Sequence, residues 1–333
     1  MQKIPVAMAT QHPDSASRHI PVREEVDEAI LTFDKEKGFN CDEYLVDYMG
    51  KLTPYHQIGQ IVQRIHEKTN LTPGVDVFVT PRMVSSFEDE PFRQLMTMLA
   101  IVEGIHYCSK NFNTQGIIEV VQAAATIEEL GNCKARCEDL LSLVGKYLGM
   151  KTENMTIRII PLFGGIAEHL SIEQMLPLFV KDVGIKDYTR VFIGKSEAAL
   201  LYGHPASALS CKIAIASCRS LEETQGIKVY PILGCGALPF RGHMTLENAE
   251  NFLKEYKGVR TYTVQSGLRY DHGLDKTRAL IEKIKMAVDK PPLELEEDQI
   301  NEMERMIFIF AKNYLLELSE IAEKVSLIAE YIP

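Results

Sequence analysis

The sequence lacks any run of apolar residues long enough to cross a membrane, and its N-terminus lacks a charged region followed by an apolar stretch. A spanning helix needs about 20 apolar residues, and a secretory leader needs that N-terminal pattern. The chain also lacks a local basic stripe, and its formal net charge is -10. A nucleic-acid backbone would be repelled by such a surface. We therefore predict a cytoplasmic protein with neither a membrane nor a nucleic acid as partner.

The cysteines lack both a CxxC pair and a zinc-binding spacing. Their number, 7, is odd, and only Cys133 and Cys137 lie close together in sequence. That pattern does not suit a disulfide framework, so we expect reduced, mostly buried thiols. With 46% hydrophobic residues, the 333 residues can bury a sizeable core in one large α/β domain or two ordinary ones.

What the sequence does contain is a series of short apolar runs, each closed by turn residues. They predict strands at 4–9, 44–48, 75–80, 115–122, 155–163, 190–194, 227–233 and 260–264. Most are separated by segments of helix length, which is typical of parallel βαβ units. Because 8 such strands close a barrel, we predict a (β/α)8 TIM-type barrel over residues 1–273. An open doubly wound sheet with an added helical domain is the alternative, since one sequence does not give the strand order.

Beyond residue 273 the sequence is helical in pattern. The stretch from 297 to 332 repeats apolar residues at helical spacing, among them Met303, Ile307 and Phe310. We predict a helical extension over 274–333 that packs on the barrel or contacts another subunit.

Polar side chains follow the ends of several predicted strands. They are His12, Arg82, Glu197, Arg241 and Gln265. In a (β/α)8 barrel the loops after the strands carry the active site, so this set predicts a site at the carboxyl end of the barrel. Simpler interpretations are a turn or N-cap histidine for His12 and a solvated loop arginine for Arg82.

The glycine-rich loop from 234 to 242 follows the seventh predicted strand. Gly234 and Gly236 allow the backbone to approach a ligand closely, and Pro239 stiffens the loop. Arg241 brings a planar, permanently charged fork that suits phosphate or carboxylate. We interpret the segment as an anion-binding loop. A tight turn with a surface arginine is the alternative, because such turns are common after strands.

Six ordered sequence blocks resemble the archaeal-type phosphoenolpyruvate carboxylases. They are residues 9–14 (ATQHPD), 79–82 (VTPR), 159–162 (IIPL), 230–236 (YPILGCG), 239–242 (PFRG) and 264–272 (VQSGLRYDH). The resemblance runs from residue 4 to the last residues of the chain. It implies carboxylation of phosphoenolpyruvate by bicarbonate to give oxaloacetate and phosphate, with Mg²⁺ or Mn²⁺, in an enzyme that is typically a homotetramer.

The resemblance also implies roles for single residues. His12 would stabilise or protonate groups during breakdown of a carboxyphosphate intermediate. Arg241 would hold that intermediate and offset charge on the transferred phosphoryl group. The expected substrate-binding residues are Arg82, Gln265, Arg269, Gly234 and Gly236.

The expected metal site departs from the family pattern. The family has a carboxylate where this chain has Gly164, and Ser-Asp where it has Ser196 and Glu197. Glu197 can still ligate a divalent ion through oxygen, although its extra methylene displaces the carboxylate. Glu168 is a further candidate ligand, with a surface glutamate as the alternative. A glutamate that often precedes Gly-Lys in the family is Met49 here, with Asp47 nearby.

Family members also continue beyond the last residue of this sequence, with further arginines that bind the substrate phosphate. We therefore expect a chain that is truncated relative to the family and has lowered activity, since phosphoryl chemistry depends on metal and cation electrostatics. Two other functions stay open. One is another divalent-metal lyase or aldolase on the phosphoenolpyruvate/pyruvate type of barrel. The other is a non-catalytic homologue that binds an anion or acts as an assembly subunit.

Overall fold

The computed structural model describes residues 3–12, 14–48, 51, 56–85, 91–124, 126–288, 291 and 294–331. Its strands are β1 (Ala7–Thr10), β2 (Glu43–Val46), β3 (Phe78–Pro81), β4 (Glu119–Ala123), β5 (Arg158–Phe163), β6 (Tyr188–Gly194), β7 (Lys228–Gly234) and β8 (Thr261–Val264). Its α-helices are α1 (Glu25–Phe33), α2 (Gln57–Lys68), α3 (Pro91–Phe112), α4 (Ile127–Leu148), α5 (Ile166–Val183), α6 (Ser196–Tyr202), α7 (His204–Gln225), α8 (Ala249–Glu255), α9 (Ser266–Asp271), α10 (Leu274–Ala287) and α11 (Glu297–Ala329). Met49 lies outside the described residues.

The strands form one parallel sheet that closes almost completely on itself. Their hydrogen-bonded order is β3-β2-β1-β8-β7-β6-β5-β4. Between β3 and β4 the described residues form one bridge, from Arg82 to Val121, and the N–H of Met83 donates to the Val121 carbonyl across 2.7 Å. The predicted (β/α)8 barrel is confirmed. The open doubly wound sheet is excluded because β1 lies between β2 and β8.

The inside of the barrel is filled by side chains rather than open. Its apolar part consists of Met8, Leu45, Val121, Ile160, Leu162, Phe192 and Ile232. Nearer the amino ends of the strands, the Arg190 guanidinium binds the carboxylates of Glu43 at 2.7 Å and Glu119 at 2.8 Å. These three charges are buried, which is tolerable only because they are paired with one another.

Helices cover the outside of the barrel with their apolar faces. The helix α2 buries Ile58, Ile61, Val62 and Ile65 at the spacing of one helical face. The amphipathic helix α1 was not predicted from the sequence. Among the described residues, no helix is long and apolar enough to span a membrane.

The segment after β8 contributes two long helices. From α10, Leu280, Ile281 and Ile284 enter the main core of the barrel. The first half of α11 packs on α6 and α7, with Ile307 buried and the Tyr314 hydroxyl donating to the Leu200 carbonyl at 2.9 Å. The second half of α11 is exposed, including its apolar side chains Leu316, Val325, Leu327 and Ile328. The domain boundary at 273/274 stays a prediction.

Candidate active site

Two residues from distant parts of the chain meet at the carboxyl end of the barrel. His12 follows β1, Arg241 lies in the loop after β7, and Nη2 of Arg241 is 3.3 Å from Nδ1 of His12. Because a guanidinium only donates hydrogen bonds, Nδ1 accepts, and the proton of the neutral ring is on Nε2. Burial, and secondly the charge of Arg241, lower the pKa of His12 from 6.5 to about 4. His12 is therefore neutral near pH 7.

Asp14, which was not among the predicted site residues, lies beside Arg241. Oδ2 of Asp14 lies 3.9 Å from Nε of Arg241, and Oδ1 accepts the N–H of Gly267 across 2.7 Å. Burial raises the pKa of Asp14, although the Gly267 N–H and the charge of Arg241 act in the opposite direction. Asp14 thus connects the loop after β1 to the arginine and to the start of α9. Its position in the ATQHPD block was the available signal.

The glycines of the loop after β7 make room for protein side chains. A Cβ on Gly236 would lie 2.7 Å from Oε1 of Gln265 and 3.1 Å from Cδ of Arg241. The N–H of Gly236 donates to the carbonyl of Arg241 at 3.0 Å, so the loop folds back on itself. A Cβ on Gly234 would lie 2.9 Å from the Phe192 ring. Binding of substrate by Gly234 and Gly236 stays a prediction.

Arg82 follows β3 and faces the same mouth. Its Nη1 is 3.5 Å from Oδ2 of Asp47, and its guanidinium lies 5.4 Å from the centre of the Tyr48 ring. Burial opposes the charge of Arg82, yet Asp47 and Tyr48 together raise its pKa. The charge of Arg82 acts on His12, and that of Glu197 acts on Arg82. Arg82 is thus a second arginine near His12, and Asp47 is its counter-charge.

The two predicted binding residues after β8 have different surroundings. Gln265 is buried, and its Oε1, which faces Gly236, has no hydrogen-bond partner within the described part of the chain. Arg269 is also buried, and its Nη2 donates to the Thr10 carbonyl at 2.8 Å and lies 3.4 Å from Glu28 of α1. Gln265 therefore lies beside Arg241, whereas Arg269 fixes the end of β1 against α1. Substrate binding by either residue stays a prediction.

Two carboxylates converge over Gly164, between the ends of β5 and β6. The position of a Cβ on Gly164 lies 2.5 Å from Oε2 of Glu197 and 3.8 Å from Oε2 of Glu168. Oε2 of Glu168 also accepts the N–H groups of Gly164 and Gly165, which caps the start of α5. Glu168 therefore contacts the end of β5, which the alternative of a surface glutamate does not account for.

The pair formed by Glu168 and Glu197 suits a hard divalent cation. Mg²⁺ is commonly held by one or two carboxylates, with water and substrate oxygens completing its shell. Across the described ranges, no group of three or more His, Cys, Asp or Glu side chains is arranged to hold a metal.

The fold and the site together define a (β/α)8-barrel protein with arginines, a neutral histidine and paired carboxylates at the carboxyl ends of its strands. The family model described as phosphoenolpyruvate carboxylase matches residues 4–333, and the chain belongs to that family. The resemblance seen in the sequence blocks is thereby confirmed.

Curated relatives agree with this assignment. The chain is 39% identical over 335 residues to the phosphoenolpyruvate carboxylase of Methanosarcina acetivorans, with 99% of this chain and 63% of the relative covered. It is 36% identical over 337 residues to that of Methanopyrus kandleri, covering 99% and 62%. It is 33% identical over 335 residues to that of Pyrobaculum islandicum, covering 99% and 70%. The chain thus spans 63% of the length of the first of these relatives.

Solved structures with a similar fold include malate synthase of Haloferax volcanii. Its magnesium/glyoxylate complex is 10% identical with a TM-score of 0.51, covering 88% of this chain and 79% of that one. Its lead(II) complex is 10% identical with a TM-score of 0.52, covering 91% and 79%. At this identity the likeness shows a shared fold alone.

Proposed function

We propose that this chain forms the barrel of a phosphoenolpyruvate carboxylase, which joins phosphoenolpyruvate and bicarbonate to give oxaloacetate and phosphate. The observation that carries the proposal is the contact of Arg241 with a neutral His12. This contact places a permanent cation beside an uncharged hydrogen-bond donor at the carboxyl end of the barrel. The cation is local, since the whole chain has a formal net charge of -10. Membership in the family supports these substrates.

Arg241 and His12 divide the work on the transferred group. The Arg241 fork binds oxygens of the phosphoryl group and offsets charge on carboxyphosphate as it breaks down. His12, with its proton on Nε2, donates a hydrogen bond to an oxygen of the same intermediate, because its Nδ1 is engaged by Arg241. Arg82 binds the carboxylate or the phosphate of phosphoenolpyruvate, and Gln265 lines the same mouth.

Glu197 and Glu168 hold the divalent ion in this proposal, Mg²⁺ or Mn²⁺. The bound ion supplies positive charge to phosphate and enolate oxygens of the substrate. Glu197 lies within electrostatic reach of Arg82, so its negative charge favours the cationic form of this arginine.

The test is whether oxaloacetate formation by this chain depends on bicarbonate. Oxaloacetate is followed through malate dehydrogenase and NADH, with phosphoenolpyruvate, Mn²⁺ and either added or depleted bicarbonate. Turnover only with bicarbonate supports the carboxylase. Arg241→Gln should lower it by about 10³-fold, while the exposed Arg305→Gln leaves it unchanged. Bicarbonate-independent turnover would indicate another lyase or aldolase. Failure to bind Mn²⁺ in the presence of phosphoenolpyruvate would indicate a non-catalytic homologue.

We further propose that the protein works in the cytoplasm as a homo-oligomer, a tetramer by family resemblance. Apolar side chains are exposed together on the neighbouring helices α3 and α4, among them Phe92, Leu95, Leu143 and Tyr147. Exposed apolar patches of this kind mark interaction surfaces. Light scattering after gel filtration should give four times the chain mass of 37.6 kDa. A Leu143→Glu, Tyr147→Glu variant should lower that mass, and a monomeric wild-type chain would refute the assembly.

A further inference from the structure

Glu197 fills the space that a side chain at position 164 would need. Its Oε2 is 2.5 Å and its Cδ 3.3 Å from the position of a Cβ on Gly164. An ordinary carbon–oxygen contact is about 3.3 Å or longer. The observed conformation of Glu197 is therefore compatible only with glycine at 164.

The ends of β5 and β6 lie close to each other at Gly164. A Cβ on Gly194, at the end of the neighbouring strand β6, would lie 3.2 Å from the Cα of Gly164. The two strand ends thus approach each other closely. Gly164 also has no positive φ, so alanine is compatible with its backbone conformation. Glu197 is therefore the nearest neighbour that an alanine at 164 would displace.

The second carboxylate at this place is fixed. Oε2 of Glu168 accepts the N–H of Gly165 at 3.1 Å and also that of Gly164. Because these bonds cap α5, Glu168 stays close to the end of β5 while Glu197 reaches it from the first turn of α6. The distance between the two carboxylates is therefore determined by how far Glu197 extends over Gly164.

We propose that Gly164 and Glu197 are a coupled pair, in which the glycine is the positioning residue that admits the longer acid beside Glu168. Glu197 then supplies its carboxylate at the end of β5 although it belongs to α6, which follows β6. The identity of the ion held there rests on the proposed function. The steric coupling of the two residues does not.

The coupling is tested with the variants Gly164→Ala, Glu197→Asp and their combination. Gly165→Ala is the matched control, because a Cβ on Gly165 would meet no atom within 4 Å. Binding of Mn²⁺ is measured without substrate, from the electron paramagnetic resonance signal of the free ion. Gly164→Ala should weaken binding about tenfold in the wild-type background and hardly at all in the Glu197→Asp background, since contacting residues couple by this order. Gly165→Ala should bind as the wild type does.

Crystal structures of the metal-free variants give a second, independent readout. In Gly164→Ala the Glu197 carboxylate should move by about 1 Å or more to restore an ordinary contact, and in Gly165→Ala it should stay. A displaced Glu197 without Mn²⁺ binding in any protein supports the coupled pair and refutes the metal role in the proposed function. An unmoved Glu197, or equal Mn²⁺ affinities for Gly164→Ala and Gly165→Ala in a protein that binds Mn²⁺, overturns the inference.

Discussion

Nη2 of Arg241 lies 3.3 Å from Nδ1 of His12, so a permanent cation contacts a ring that would itself become a cation on protonation. The contact joins the loops after β7 and β1, and it makes the neutral ring with its proton on Nε2 the stable form. Asp14 stands 3.9 Å behind the arginine and partly balances its charge. At this end of the barrel, Arg241 therefore carries a permanent charge, and the neutral His12 is a hydrogen-bond donor beside it.

Replacement of Arg241 should lower the rate of carboxylation even when the positive charge is kept. We expect Arg241→Lys to lower kcat/KM by about 10²-fold or more, because lysine lacks the planar fork, and Arg241→Gln by about 10³-fold. Steady-state kinetics with Arg305→Lys as the exposed control measures both. Activity of Arg241→Lys within about threefold of the wild type would show that only the charge matters.

His12 should titrate near pH 4, and Arg241 should contribute to that low value. Because burial and the charge of Arg241 both lower the pKa of His12, Arg241→Gln should raise it towards 6.5 without reaching it. Two-dimensional NMR of ¹⁵N-labelled histidine follows the ring nitrogens with pH, and His12→Asn identifies the signal. An unchanged pKa in Arg241→Gln would show that the charge of Arg241 does not contribute to it.

Sequence patterns were sufficient for the strands, and the number of strands predicted the closed barrel. The apolar runs at 190–194 and 227–233 correspond to β6 (Tyr188–Gly194) and β7 (Lys228–Gly234). Short runs between turn residues are a local signal, so they can be detected without coordinates. No local pattern contains the hydrogen bonding between strands, so the single bridge between β3 and β4 among described residues could be seen only in the structure.

The candidate site was likewise predicted only in part from the sequence. His12 and Arg241 were found because each follows a predicted strand and lies in a family-like block. The contact of Glu197 with Gly164 was not foreseen, because it depends on how closely the ends of β5 and β6 approach. The helix α1 was detectable, since Val26, Ala29 and Phe33 are buried at helical spacing.

The buried, neutral His169 should make the fold less stable as the pH falls from 6.5 towards 4. Burial lowers the pKa of His169 from 6.5 to about 4, and its Nε2 lies 3.1 Å from the Phe163 carbonyl. The unfolded chain therefore binds the extra proton first as pH falls through 6.5, so the unfolding free energy decreases by up to about 1.4 kcal/mol per pH unit for this group.

The histidine effect is measured as a difference between wild type and His169→Asn in urea unfolding. Burial raises the pKa of Glu25 to about 7 despite Lys51, so Glu25 changes stability in the opposite sense between its ordinary 4.5 and 7. That contribution is common to both proteins and cancels in the difference. We expect the pH slope of the unfolding free energy to be smaller in His169→Asn. Equal slopes would contradict a neutral, buried His169.

Arg190 should be the most sensitive charged residue of the barrel interior. Arg190→Met leaves Glu43 and Glu119 buried without their cation, which costs about 3–5 kcal/mol. Arg158→Met is the control, because its partner Asp187 is 58% exposed and such surface pairs contribute about 1 kcal/mol at most. Adding Glu43→Gln and Glu119→Gln to Arg190→Met should recover much of the loss, since the remaining amides carry no charge. If urea unfolding gave equal losses for Arg190→Met and Arg158→Met, the interior charges would have to be stabilised by something other than each other.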